Sequence, residues 1–163
     1  MSNREQLLGV IGWLCVCFAT AATGAAASMQ AKSFYAQLVQ PSWAPAPWLF
    51  GPVWTCLYLM MAIAVWLVWR AGGVRPNRIA LSLCVLQLVL NGLWSWLFFA
   101  WAQGVFALIE ILLLWVLILV NSVAFWRVSR FAGALLIPYL VWVGFASALT
   151  YSLWRLNPGL LGD

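Results

Sequence analysis

Residues 40–61 read QPSWAPAPWLFGPVWTCLYLMM, and this stretch changes from a proline-rich to an apolar character halfway along. Tryptophans are interspersed with its four prolines, Pro41, Pro45, Pro47 and Pro52. Proline lacks a backbone donor and stops helices, although it is tolerated in a first helical turn. The stretch therefore predicts a stiff non-helical loop up to Pro47, followed by an apolar helix with Pro52 in its first turn.

The composition around this stretch is that of an integral membrane protein. Of the 163 residues, 66% are hydrophobic and 7% are charged, whereas a soluble domain carries about 25% charged residues. We expect a single membrane domain over residues 1–163. The net charge of +5 comes from basic residues in short loops, which indicates membrane topology rather than binding to nucleic acid.

Five segments are long enough to cross a bilayer, which takes about 20 apolar residues. They are residues 7–27, 48–69, 79–101, 105–126 and 131–154. Consecutive spans after the first are joined by short polar breaks and must be antiparallel neighbours. The predicted fold is an all-α bundle of five transmembrane helices with a Pro/Trp-rich loop between helices 1 and 2.

Basic residues are distributed unequally between the two sides of this bundle. The side that holds the N-terminus, here called the N-terminal side, carries Arg4, Arg70, Arg75, Arg78, Arg127 and Arg130. The opposite side, here called the C-terminal side, carries Lys32 and Arg155. Because basic loops stay in the cytoplasm, we expect a cytoplasmic N-terminus in a multi-pass protein of a bacterial cell membrane.

The chain offers little for metal binding. It has no histidine, and histidine is the usual transition-metal ligand and axial haem ligand. The four cysteines, Cys15, Cys17, Cys56 and Cys84, lie in apolar segments without a CxxC spacing. We therefore predict no metal site and interpret the cysteines as small buried hydrophobes.

Two polar or aromatic patterns mark the interior of the bundle. Phe50, Trp54 and Tyr58 are spaced four residues apart and form one stripe on span two. The stripe is either a packed aromatic core or a stacking wall for a flat apolar ligand. On span three, Gln87 and Asn91 share a face, where they either bond neighbouring helices or, in the case of Asn91, line a cavity.

Glu110 is the one acidic residue within a predicted span. A carboxylate at membrane depth is costly and is a candidate functional group. It enters from the C-terminal side, where the basic residues are Lys32 and Arg155. We predict a structural ion pair between Glu110 and Arg155, since Arg155 lies on a helix and Lys32 in a loop.

Several stretches together resemble the TspO/MBR family of tryptophan-rich sensory proteins, in its bacterial type. The opening stretch resembles the family pattern PSW-x-PP-x-W-x-x-GPVW-x-x-LY. LVLNGLWSWLFF, FALIEILLLW, AFWRVS and IPYLVWVGFASALTYSLWRLN follow in the family's order, so that the resemblance covers residues 34–157. The chain departs from the pattern at Trp96, where the family often has proline.

The resemblance implies a pocket for porphyrins, sterols or benzodiazepine-type ligands, closed by the first loop. It implies no required cofactor and protoporphyrin IX or haem as ligand, and the lack of histidine favours the metal-free ring. The implied and inferred ligand-binding residues are Tyr35, Trp43, Phe50, Trp54, Tyr58, Asn91, Trp142 and Ala146. Leu149, Tyr151 and Arg155 match a sterol-recognition motif.

Three functions remain open from the sequence. The leading one is a receptor or sensor that binds tetrapyrroles and regulates tetrapyrrole or stress responses. The second is an enzyme for light- and oxygen-dependent breakdown of protoporphyrin, in which Trp54 and Trp142 are the implied catalytic residues. The third is a tetrapyrrole or sterol transporter. Besides the bilayer and the ligand, a homodimer is an expected partner. The small residues of spans one and three either form its interface or pack helices within one chain.

Overall fold

A computed structural model of the chain describes residues 2–29 and 31–162, and the described residues form helices joined by short turns. The helices are α1 (Asn3–Ala27), α2 (Ala31–Gln37), α3 (Phe50–Gly72), α4 (Val74–Ser95), α5 (Gly104–Val128), α6 (Arg130–Leu135), α7 (Ile137–Leu156) and α8 (Pro158–Leu161). Five helical stretches within this part are long and apolar enough to cross a membrane. They run over Asn3–Ala27, Pro47–Gly72, Val74–Ala100, Gly104–Val128 and Arg130–Leu156. The predicted five-helix membrane bundle is confirmed.

The first loop has the irregular character that its prolines predict. After the short helix α2, which the sequence did not indicate, residues 38–46 are non-helical. A single 3₁₀ turn over Pro47–Leu49 then leads directly into α3. Pro52 lies in the first turn of α3, where its missing N–H has no intrahelical partner to lose.

The bundle is built around α3, α4, α5 and α7, with α1 on its outside. The largest buried side chains include Met61 on α3, Ile118 on α5 and Tyr139 on α7, each fully buried. The equally buried amide of Asn121 donates to Gln87 Oε1 at 3.1 Å, joining α5 to α4. Gln87 therefore bonds a neighbouring helix, which is one of the two interpretations that the sequence left open.

Small residues let α1 approach α4 closely. A Cβ atom on Gly24 would lie 3.3 Å from Ser95 Oγ, and one on Gly92 would lie 3.3 Å from Thr23 Oγ1. These small faces of spans one and three are thus used within one chain. This intrachain packing is one of the two uses of these small residues that the sequence allowed, and the homodimer stays a prediction.

A π-helical turn over Trp96–Ala100 directly follows α4. The N–H of Trp101 donates to the carbonyl of Trp96 at 2.9 Å, and Ala102 then takes a positive φ of 52°. A π turn widens the helix, and here it occurs where the family often has proline. It carries Phe98 into the core, where this ring is 1% exposed.

Candidate ligand cavity

A cavity of about 750 Å³ lies in the half of the bundle nearest the C-terminal side. Helices α1, α2, α3, α4 and α7 contribute to its walls. Ligand pockets in proteins span about 300–1,000 Å³, so this volume suits a drug-sized or macrocyclic ligand. The lining residues are Phe18, Ala21, Ala22, Gly24, Ala25, Ser28, Ala31, Tyr35, Pro47, Trp48, Phe50, Gly51, Trp54, Thr55, Tyr58, Asn91, Trp94, Ser95, Phe99, Trp142 and Ala146.

One wall of the cavity is aromatic. The stripe predicted on span two lines it with all three of its rings, and Trp142 of α7 extends it. The ring centroids of Phe50 and Trp142 are 5.9 Å apart, and those of Trp54 and Tyr58 are 5.7 Å apart. The stripe therefore lines the cavity. It also belongs to the packed core, because the side chain of Tyr58 is only 4% exposed.

Another part of the cavity wall is made of small residues on α1. Ala21, Ala22, Gly24 and Ala25 line the cavity there, and their short side chains leave room in front of the aromatic wall. The sequence analysis assigned no cavity residues to span one. The run of alanine and glycine near its end was the available signal, but such residues pack helices as readily as they line cavities.

A hydrogen-bonded chain of three side chains closes the deep end. The Tyr58 hydroxyl donates to Asn91 Oδ1, and Asn91 Nδ2 donates to the Tyr139 hydroxyl oxygen at 2.6 Å. Asn91 thus lines the cavity and also bonds α3 and α7, so both interpretations of this residue hold. Tyr139, which is fully buried, was not identified from the sequence.

The first loop covers the cavity and is attached to the end of α7. Asn157 accepts from the Val39 N–H at 2.7 Å and donates to the Val39 carbonyl at 2.9 Å. Tyr35, Pro47 and Trp48 from this covering segment line the cavity. The sequence analysis did not identify Asn157 as the residue that attaches the loop, since nothing in the sequence joins residues that are 118 positions apart.

Seven of the eight predicted ligand-binding residues line this cavity, and Trp43 is the exception. Trp43 packs its ring against Phe145 with centroids 5.7 Å apart. Its side chain is 47% exposed, as expected for a tryptophan at the membrane edge. It therefore belongs to the outer surface of the loop rather than to the ligand wall.

The sterol-motif residues do not form one surface. Leu149 is 4% exposed and packs in the core, whereas Tyr151 is 51% exposed and contacts Trp154. Arg155 is exposed as well. With about 3.6 residues per turn, positions 149 and 151 point in different directions, so only Tyr151 and Arg155 share the outer face of α7.

The predicted ion pair between Glu110 and Arg155 is wrong. Glu110 is buried, and both of its carboxyl oxygens lack a hydrogen-bond partner among the described residues. The alternative partner considered from the sequence was Lys32, whose side chain lies outside the described part of the chain. The depth of Glu110 was predictable from its position in the span, but the direction of Arg155 depends on the rotation of α7.

This arrangement predicts that Glu110→Leu stabilises the protein. Leucine of similar size removes two buried oxygens that no described group satisfies, and an unsatisfied buried polar group costs about 1–3 kcal/mol. We expect the free energy of unfolding in detergent to rise by about that amount. Arg155→Gln serves as the matched control and should leave stability unchanged. A loss of stability in both variants would instead indicate that Glu110 and Arg155 do form an ion pair.

The fold and the cavity define a class of protein: an integral membrane bundle of five helices with an internal aromatic-walled cavity under a loop. The model of the TspO/MBR family matches residues 13–155, and the chain belongs to this family.

Its relatives are spread widely among organisms. Tryptophan-rich protein TspO of Chlorobaculum tepidum is 39% identical over 157 residues, covering 95% of this chain and 99% of the relative. The human translocator protein is 40% identical over 131 residues, covering 79% of this chain and 78% of the relative. The tryptophan-rich sensory protein of Cereibacter sphaeroides is 33% identical over 145 residues, with 89% of each chain covered.

Proposed function

We propose that this protein is a membrane receptor or sensor that binds porphyrins in the cavity and regulates tetrapyrrole or stress responses. The observation that carries the proposal is the aromatic wall of Phe50, Trp54, Tyr58 and Trp142 along a cavity of about 750 Å³. Aromatic faces stack on flat macrocycles, and their strength comes from contact area and from the ring quadrupole. Sterols and benzodiazepine-type compounds are further candidate occupants of the same apolar space.

The cavity favours the metal-free ring over haem. The chain has no histidine, and histidine is the common axial ligand of haem iron. The described cavity lining also contains no cysteine or methionine, the two residues whose sulfur atoms ligate haem iron in other proteins. Tyrosine can also ligate haem iron, and Tyr35 and Tyr58 line the cavity. The Tyr58 hydroxyl, however, donates to Asn91. We therefore expect stacking and shape, which protoporphyrin and haem share, to contribute most of the binding of either ring.

Titration of the purified protein in the dark tests this function. We expect protoporphyrin to quench tryptophan fluorescence saturably and to shift its own absorption band. We expect haem to bind no more tightly than protoporphyrin. Absence of saturable binding by either ring would refute the porphyrin receptor.

A light-dependent enzyme is the second candidate function, and the placement of two tryptophans favours it. Trp54 and Trp142 both line the cavity, so a bound porphyrin would lie beside both indoles. Light would excite the porphyrin, and an indole is oxidised far more easily than a phenyl ring. Oxygen is the co-reactant that this degradation requires.

Phe in place of Trp54 or Trp142 should separate binding from photochemistry. Phenylalanine keeps most of the stacking area, so we expect dark affinity to fall by no more than about 1.5 kcal/mol. The rate at which bound porphyrin loses its absorption under light should fall several-fold more than the affinity. If both variants bind and bleach porphyrin as the wild type does, neither indole takes part in the chemistry.

The distribution of arginines predicts the orientation of the bundle. Six arginines lie on the N-terminal side, against Lys32 and Arg155 on the other, which favours a cytoplasmic N-terminus. The cavity and its covering loop then face away from the cytoplasm. We expect an alkaline phosphatase fusion after Asp163 to be active and a fluorescent protein that folds only in the cytoplasm to stay dark there. The reverse result would invert the topology.

A further inference from the structure

A groove of about 340 Å³ lies on the outer face of α4, towards the N-terminal side, and is lined by Arg78, Ile79, Ser82, Leu83 and Leu86. None of these residues lines the cavity described above. Positions 78, 79, 82 and 86 share one face of the helix. The groove therefore runs along α4 for about 12 Å, at about 1.5 Å per residue, from the end of the span towards the bilayer interior.

The groove is polar at one end and apolar along the rest of its length. Arg78 lies at the outer end, one turn from Ser82, and both side chains are exposed. The side chains of Ile79 and Leu86 are 69% and 49% exposed, so the apolar length is open to the hydrocarbon of the bilayer. A phospholipid has the same layout, because its headgroup lies at the membrane surface and its acyl chains run inwards.

The arginine of the groove has no carboxylate partner within the part of the chain that the structure describes. The carboxylates there belong to Glu5, which caps the start of α1, and to Glu110, which is buried without a hydrogen-bond partner. The Arg70 guanidinium, by contrast, lies 4.9 Å from the centre of the Trp66 ring. Arg78 has neither kind of partner among the described residues, so its charge is free to bind an anion from outside the protein.

The turn between α3 and α4 holds the charged end of the groove in place. The buried Asn77 amide donates to the carbonyls of Val68 and Gly73 at 3.0 and 3.2 Å. Arg75 is exposed one turn before Arg78 on the same helix, and it adds a second positive charge near this end. Because the backbone is already fixed, binding an anion here costs less ordering of the chain.

We propose that this groove binds an anionic phospholipid, with the phosphate at Arg78 and one acyl chain along the apolar length. Guanidinium groups bind phosphate through charge-assisted hydrogen bonds, which are often bidentate. The N-terminal side is the one proposed to be cytoplasmic, and anionic lipids give the cytoplasmic leaflet its negative surface potential. This lipid site is independent of the porphyrin binding proposed above, since the two share no lining residue.

Titration of the detergent-purified protein with lipids, followed by native mass spectrometry, tests the site. Dioleoyl phosphatidylglycerol and dioleoyl phosphatidylcholine carry the same acyl chains and differ in net charge. We expect the wild type to bind its first phosphatidylglycerol at least about tenfold more tightly than its first phosphatidylcholine. Glycerol 3-phosphate has the phosphate without acyl chains, and it should not bind at lipid concentrations that fill the site.

Three variants at exposed positions separate the charge from the groove. Arg78→Gln should weaken phosphatidylglycerol binding about tenfold and leave phosphatidylcholine binding unchanged. Leu86→Trp places a bulky ring in the apolar length and should weaken phosphatidylglycerol binding although Arg78 is retained. Arg127→Gln is the matched control, because Arg127 is an exposed arginine on the same side and does not line the groove. It should leave the affinity for both lipids unchanged, and circular dichroism establishes that each variant is folded.

Equal affinity of the wild type for the two phospholipids would overturn the lipid site, whatever the variants do. Equal losses of phosphatidylglycerol binding in Arg78→Gln and Arg127→Gln would also overturn it, since the overall charge of this side would then explain the preference. Binding of glycerol 3-phosphate as tight as that of the lipid would show a phosphate site that makes no use of the groove. A preference that is lost in Arg78→Gln and kept in Arg127→Gln would support the proposal.

Discussion

Ala146→Trp should lower the affinity for protoporphyrin at least about a hundredfold, or about 2.7 kcal/mol, while the protein remains folded. Ala146 lines the cavity one turn along α7 from Trp142. An indole at this position would occupy the space in front of the aromatic wall and displace the ligand from it. Ala146 also borders the packed core and is 8% exposed, where added bulk can be destabilising, so circular dichroism in detergent first establishes that the variant is folded.

A matched substitution on the same helix controls for the added bulk. Ala148 lies two residues further along α7 and is exposed on the outside of the bundle, so Ala148→Trp changes only the lipid-facing surface. Dark fluorescence titration should give wild-type affinity for Ala148→Trp. If Ala146→Trp also binds as the wild type does, porphyrin binds somewhere other than this cavity.

Asn91→Leu should lower the free energy of unfolding by about 2–4 kcal/mol, since it breaks two buried hydrogen bonds with one substitution. The Tyr58 hydroxyl loses its acceptor, and the Tyr139 hydroxyl loses the donor that approaches it at 2.6 Å. Tyr139 is fully buried, and an unsatisfied buried polar group costs about 1–3 kcal/mol. Unfolding in detergent, followed by circular dichroism, measures the loss.

Removing the tyrosine hydroxyls as well should reverse most of this loss. Replacing every member of a buried hydrogen-bonded group by apolar residues of similar shape is nearly neutral. We therefore expect the triple variant Asn91→Leu, Tyr58→Phe, Tyr139→Phe to be more stable than Asn91→Leu alone. Equal stability of the two would show that Asn91 contributes through packing and that its hydrogen bonds add nothing.

Most of the ligand wall could be predicted from the sequence because residues on one helix keep a regular spacing. Phe50, Trp54 and Tyr58 share a face at intervals of four residues, whatever surrounds the helix. Tyr35 and Ala146 were predictable in another way, through the resemblance of their motifs to a known family. Two predictions do not match the arrangement of the described residues: Trp43 does not line the cavity, and Arg155 does not pair with Glu110. Both predictions concern contacts between different segments.

By itself, the sequence determined that the chain crosses the membrane in five helices and where each begins and ends within a few residues. In lipid every backbone polar group has to be satisfied within its own helix, so apolar length alone decides the spans. Only the tertiary structure decided that α1 supplies the small-residue wall, that Asn157 attaches the loop at Val39, and that Glu110 has no described partner. These contacts depend on how each helix is rotated about its axis and packed against the others, and such rotations are set by all the side chains together.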